Sequence, residues 1–482
     1  MATSKFTLKV PSINYEETVK LDVKIPPKYV VEFILNYDYQ GEFGFDWLRK
    51  KWTKDNLCVE GLEDLKKIYT PFKMDIKSDE DEPYGDYYTP WVTMFPNHKE
   101  IIGKPVKLFA LINSEYIDWD NIDTDEKFTF TPSDPNITVE PSEVKFDEAL
   151  NGVPIEIKCK GPIEESYIEV KDSRGGIVAK LNISKNSHYN DLTINIPVVK
   201  AYVADLETCN ESVIEAEVQK TGGLQAIEDY LNTRSLNQAL IQVKFQYDKD
   251  GKPYDWPFRK RSLDVANEGK NPRTEKGWYD GECYYDVFKD MMLNETTLKF
   301  DSGKILNFFH HQFKLKWPRV VKEKNIILYL TSLLTEDAGG VSFLSPLNNK
   351  HCIIYKDRLS TLSTYAHEIA HTLGLLHSFY DEDFSDMNIL IVECEEEKTE
   401  IINKIGTIEH LSQYQVYVKY FKERLKILNN LISGYQEISR RKKILFEKYK
   451  TSNFMDYDIS RRICFFKYQI NIMQDEVQKY YH

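Results

Sequence analysis

What this sequence lacks narrows it first. Its 482 residues hold only seven cysteines, Cys58, Cys159, Cys209, Cys283, Cys352, Cys394 and Cys464, far apart and without a single C-x-x-C pair. An odd, scattered set builds neither a disulfide framework nor a thiolate zinc site, and predicts mostly buried free thiols. No apolar run approaches the roughly 20 residues that cross a bilayer, so no membrane span is expected. The opening Met-Ala-Thr-Ser-Lys-Phe-Thr-Leu-Lys-Val has no apolar core followed by a small-residue cleavage site, which argues against a signal peptide. Positive charge is also short: 63 Lys and Arg stand against 76 Asp and Glu, a net charge of -13. That balance speaks against nucleic acid or anionic membrane as the main partner, since both reward clustered positive charge. The expectation is a soluble acidic protein, long enough for about three domains of roughly 150 residues each.

Pattern divides the chain in three. Residues 1-125 carry short apolar runs such as Val30-Val31-Glu32-Phe33-Ile34-Leu35 and Val106-Lys107-Leu108-Phe109-Ala110-Leu111, separated by an acidic loop at 78-83, and read as an N-terminal, mainly β accessory module. Over 126-200 the alternation sharpens in Val153 to Cys159, Tyr167 to Val170, Gly176 to Leu181 and Leu192 to Ile196, with turn candidates at Asn151-Gly152 and Arg174-Gly175-Gly176. This predicts a small β-sandwich of immunoglobulin-like pattern, a class that more often spaces or binds than catalyses. From 201 the period changes. Helix candidates at 223-240 and 304-313 alternate with strand candidates at 241-245, 325-330 and 351-355, which predicts an α/β unit.

Behind it, residues 367 to 377 read His-Glu-Ile-Ala-His-Thr-Leu-Gly-Leu-Leu-His. Positions i and i+4 of a helix share a face, so His367 and His371 can offer two imidazole nitrogens to one metal. Glu368 lies beside the pair, placed to act on a water as general base without being a ligand. Gly374 accepts a left-handed backbone and can turn the chain so that His377 completes the set. Three protein nitrogens leave a fourth position open, the mark of a catalytic rather than structural zinc site. Five specified positions match by chance on the order of once in tens of thousands of chains of this length. Zn2+ is the expected metal, although three histidines suit several divalent ions. His310-His311 is a weaker pair, because adjacent residues point to different helix faces.

The pattern H-E-x-x-H-x-x-G-x-x-H resembles the signature of the metzincin zinc peptidases, whose second hallmark is a methionine turn beneath the metal. Ser452-Asn453-Phe454-Met455-Asp456-Tyr457 looks like that turn. The resemblance implies an α+β catalytic domain over 201-482, with a twisted mixed sheet and a helical lower subdomain. It implies Met455 as the floor under the histidines. Tyr457 matches the tyrosine of astacin-like and serralysin-like members, which implies a phenol at the metal that hydrogen-bonds the oxyanion. The reaction implied is zinc-dependent endopeptidase hydrolysis of a protein or peptide substrate. That substrate would lie extended along an edge strand near Ala338-Gly339-Gly340-Val341-Ser342-Phe343.

The chain departs from the family pattern by placing 77 residues between His377 and Met455. Ile401, Ile405 and Ile408, then Leu425, Leu428, Ile432, Tyr435 and Ile438, recur near helical spacing there and predict a helical hairpin over about 390-450. It is read as packing, with a gating or partner-binding arm as the alternative. No cysteine-switch element accompanies Cys58 or Cys159. Accessory β modules ahead of a peptidase without a leader would suit an exported bacterial effector carried by a leaderless route, with a secretion-machinery partner reached through the N-terminal modules, or alternatively a cytoplasmic peptidase. A different class also stays open: a catalytically silent zinc-binding protein acting as a binding or delivery module through its N-terminal β domains. Retention of Glu368 speaks against it.

Overall fold

The computed structural model describes residues 3-5, 20-22, 25-98, 101-102, 104-204, 207-259, 283-284, 292-294, 299-322, 324-335, 338-342, 350-379, 387-411, 414-440 and 443-481. It is a mixed α+β structure and forms two compact units. One comprises Met1–Lys50 with Glu63–Asn190, the other Lys51–Leu62 with Asp191–His482.

The first unit is built on two sheets. In the four-stranded sheet the order is Ile137–Glu140, Val153–Cys159, Val106–Ile117 and Tyr29–Leu35. In the six-stranded sheet it is Glu143–Lys145, Lys127–Pro132, Ser166–Asp172, Ile177–Ile183, Trp91–Thr93 and Gly44–Asp46. Strands from both sides of residue 125 therefore share both sheets, and the division expected there does not separate two units. The register shows why: Leu108 sits opposite both Leu35 and Ile155, so the strand at 106-117 has partners from each supposed module. Alternation reveals a strand and its buried face, but not which distant strand satisfies its backbone groups. The boundary at 200 also moves, because Thr193–Val203 joins the sheet of the second unit.

That sheet is nearly all parallel. Thr193–Val203 is its long central strand, flanked by Ile327–Thr331 on one side and by Gln242–Gln246 and Tyr254–Arg259 on the other. His351–Ile354 follows Ile327–Thr331, and Gly340–Ser342 closes that side as an antiparallel edge strand. All five residues of Ile327–Thr331 are buried, four of them apolar, as in a parallel strand covered on both faces. Val199, Ala201, Tyr329 and Ile353 pack with Ile305, Leu306, Phe309 and Phe313 of the helix Ser302–Lys316.

Two long helices, Met387–Ile408 and Gln415–Arg440, occupy the segment predicted as a hairpin. They share a small core of Ile401, Ile405, Val418 and Leu428, and Arg424 grips Glu397 with two hydrogen bonds of 2.7 and 2.8 Å. Lys467–Tyr480 is the last helix. Among the described residues no helix is long and apolar enough to cross a membrane. Six described cysteines are free thiols, five of them buried.

Candidate metal centre

The helix Leu362–Thr372 carries the first part of the centre, and every residue from Ser363 to Thr372 is buried. Its end is set by Gly374, at φ 83°. The Gly374 N–H donates to the His371 carbonyl at 3.0 Å and the Leu375 N–H to the Ala370 carbonyl at 3.1 Å, the paired bonds of a Schellman close. A side chain at 374 would strain this left-handed position. The reversal does two things. It presents the Leu375 carbonyl to Nδ1 of His371 at 2.8 Å, and it carries His377 back toward the helix.

Nδ1 of His367 lies 2.7 Å from the carbonyl oxygen of Phe454. Carbonyls only accept, so both rings hold their protons on Nδ1 and keep a lone pair on Nε2. Nε2 of His371 stands 3.2 Å from Nε2 of His367 and 3.2 Å from Nε2 of His377. One ligand atom from each of the three residues falls within 4.8 Å of the others. A metal bound at about 2.05 Å in tetrahedral geometry needs nitrogens roughly 3.3 Å apart, so the donor set fits a zinc-sized ion. Lone pairs converging at this spacing call for a cation between them. Burial, helped by Arg462 and the two neighbouring imidazoles, also holds His367 well below the ordinary histidine range and so keeps it neutral, as a ligand must be.

Glu368 is buried next to this cluster. Desolvation pushes its carboxyl up to about 8, opposed by the charge of Arg462. Its side chain lies against the edge strand: a Cβ built on Gly340 would come within 2.7 Å of both Cγ and Oε1 of Glu368. Gly340 is thus the one residue type that lets the carboxylate stand where it does.

The segment after the hairpin supplies the floor. Asn453 Oδ1 accepts from the Met455 N–H at 2.8 Å, and Asn453 exchanges hydrogen bonds of 2.6 and 3.1 Å with Gln469. Asp456, fully buried, accepts from the backbone N–H groups of Tyr449, Thr451 and Tyr457 at 2.9, 2.9 and 2.7 Å. These bonds replace regular structure and hold a tight turn in which Phe454 and Met455 are buried. The Met455 carbonyl accepts from Ser378 at 3.1 Å, tying the turn to the residue after His377. Tyr457 puts its ring edge-on to His377 at 4.7 Å, while Phe379 stacks on the His377 ring at 5.0 Å and 12°.

All seven residues singled out from the pattern, His367, Glu368, His371, Gly374, His377, Met455 and Tyr457, therefore belong to one neighbourhood. His310 does not join them. It stacks on His351 elsewhere in the unit, and among the described residues the three-histidine group is the one cluster suited to an ion. Sequence reasoning missed the part played by three members: Gly340, expected only as one residue of the edge strand and distinguished by the packing of Glu368; Asp456, hidden inside the quoted turn; and Arg462, one of two adjacent arginines with no motif around it. Phe343, in the segment expected beside the substrate, lies outside the described residues.

No protein-family model matches the chain, and no curated protein matches it. Among solved structures it is similar to the crystal structure of metalloproteinase-II from Bacteroides fragilis, over 60% of this chain and 78% of that one, at 12% identity and a TM-score of 0.21. A superposition that loose assigns neither a fold nor an activity, and the metal-centre geometry has to carry the functional reading itself.

Proposed function

We propose that this chain is a zinc-dependent endopeptidase of the metzincin type, with His367, His371 and His377 as metal ligands and Glu368 as general base. The observation that carries the reading is the convergence of three imidazole nitrogens beside a buried carboxylate that rests on an edge strand. The order of the sheet agrees with it: an antiparallel edge strand, Gly340–Ser342, next to the parallel strand His351–Ile354, which leads into the ligand helix. Asn453 to Tyr457 is then the methionine turn, which explains why Met455 is wholly buried and why its neighbour Phe454 orients His367.

When bound, zinc would polarise the scissile carbonyl and lower the pKa of a water at the open position. The chain's own groups do the rest. Glu368 takes the proton of the attacking water and passes it to the leaving amine, a role favoured by a site that holds the carboxyl out of bulk solvent. The Tyr457 phenol donates to the oxyanion as the carbonyl becomes tetrahedral. The backbone of Gly340–Ser342 pairs with an extended substrate and fixes its scissile bond over the histidines.

The reading is tested with the purified, zinc-loaded protein and a mixed peptide library, using Glu368→Ala and a chelator as controls. Cleavage that the chelator abolishes, and that Glu368→Ala reduces at least ~100-fold, is expected. A wild-type protein that holds one zinc and cuts nothing would remove the peptidase and leave a metal-binding protein.

A further inference from the structure

Arg462 lies in the stretch between the turn at Asn453 to Tyr457 and the helix Lys467–Tyr480. Its Nε donates to the Asp456 carbonyl at 2.7 Å, which fastens the guanidinium one residue from Tyr457. The side chain is half-buried, and this partial burial lowers the pKa of Arg462 to about 10, with the carboxylates of Glu368 and Asp456 pulling it back up. The Asp456 carboxylate is committed to the backbone of its turn, and no hydrogen bond or ion pair joins Arg462 to Glu368 among the described residues. Among the described residues neither terminal nitrogen of Arg462 has a hydrogen-bond acceptor or an ion-pair partner. A half-buried guanidinium with an open, accessible fork is suited to an anion, and a carboxylate matches the fork in two parallel bonds.

We propose that Arg462 is a specificity residue that receives a carboxylate of the substrate beside the scissile bond. The proposal rests on the reading of the three histidines as a peptidase metal centre and adds the substrate class, acidic peptides. Nε, used on Asp456, holds the head in place, and the two terminal amino groups face the ligand. The carboxylate comes either from an aspartyl or glutamyl side chain or from the end of the substrate chain. The net charge of the protein, -13, would repel such substrates at long range, so a local cation is needed to admit them.

The test is calorimetric binding of three peptide hydroxamates to the zinc-loaded protein: an asparaginyl amide, an aspartyl amide, and an asparaginyl compound with a free terminal carboxylate. At least one of the two anionic compounds is expected to bind roughly 10- to 100-fold more tightly than the neutral one, and which of them does so identifies the source of the carboxylate. In Arg462→Gln that advantage falls to within about 3-fold. Arg462→Lys, which keeps the charge but loses the fork, retains only part of it and serves if Arg462→Gln does not fold. Equal binding of all three compounds by the wild type, or an advantage that survives Arg462→Gln, overturns the proposal. Failure of the peptidase reading looks different: the hydroxamates bind with the predicted preference and no peptide is cleaved.

Discussion

His310 and His351 stack face to face, with ring centroids 3.7 Å and planes 5° apart, whereas His367, His371 and His377 turn their Nε2 atoms toward a common point. Both groups are largely buried in the same unit, and burial pushes His310, His351 and His367 alike toward the neutral form. The difference lies in what holds the far side of each ring. His367 and His371 have backbone carbonyls on Nδ1 at 2.7 and 2.8 Å, which fix the tautomer and aim the lone pair. His310 has the Tyr329 hydroxyl at 3.5 Å, beyond good hydrogen-bond length, and its ring packs flat against another. Histidine content alone does not make a metal site; the partner behind the ring does.

The contrast breaks most sharply on metal content. His371→Ala is expected to lower bound zinc from one per chain to nearly none, while His310→Ala leaves it at one, as measured by elemental analysis after dialysis. An ion present at a thousand times its dissociation constant stabilises the fold by about 4 kcal/mol, so thermal unfolding should show the same division.

Acid affects the stacked pair next. His310 takes up its proton near pH 4 in the folded protein instead of near 6.5, chiefly because it is buried, with Lys314 and His311 adding repulsion. The unfolded chain therefore binds more protons between those values. Stability is complete above pH 6.5 and declines as pH falls toward 4, by up to ~3 kcal/mol from this residue. Urea unfolding of the metal-free protein across that window should be flatter for His310→Leu than for the wild type. Equal slopes would mean that the stacked ring is hydrated.

A smaller effect tests the edge strand. Gly340→Ala should retain one zinc yet lose about 10-fold in kcat, a cost of ~1.4 kcal/mol, because the added Cβ displaces Glu368 while the ligands stay in place. Unchanged kcat would remove Gly340 from the account. Smallest is Met455→Leu, a swap of similar volume in a buried position, expected to cost under ~1.5 kcal/mol and to leave metal binding intact.

The legible parts of this molecule were the local ones. The spacing from His367 to His377 specifies a helix, its glycine close and a returning ligand within one short run, and the geometry follows that reading. The hairpin at Met387–Ile408 and Gln415–Arg440 was visible because Ile401, Ile405 and Leu428 recur with the helical period and pack mainly on each other. Pairing between distant strands was not visible. Alternation in Val106–Ile117 shows which side chains are buried but gives no sign that Tyr29–Leu35 and Val153–Cys159 are its neighbours, and the boundary at 125 failed for that reason. The contact of Gly340 with Glu368, and Arg462 altogether, were hidden for a related cause. Each matters only through what the fold sets beside it: the Glu368 carboxylate in one case, the carbonyl of Asp456 in the other.

Whether three imidazoles of this chain hold one metal ion is read most directly at the metal itself. Zinc K-edge X-ray absorption on the purified, zinc-loaded protein measures it directly. The expected result is a shell of three histidine nitrogens at about 2.0–2.1 Å with one further light-atom ligand, altered in His377→Ala. A sulfur shell near 2.3 Å, or a protein that binds no zinc at all, would contradict it.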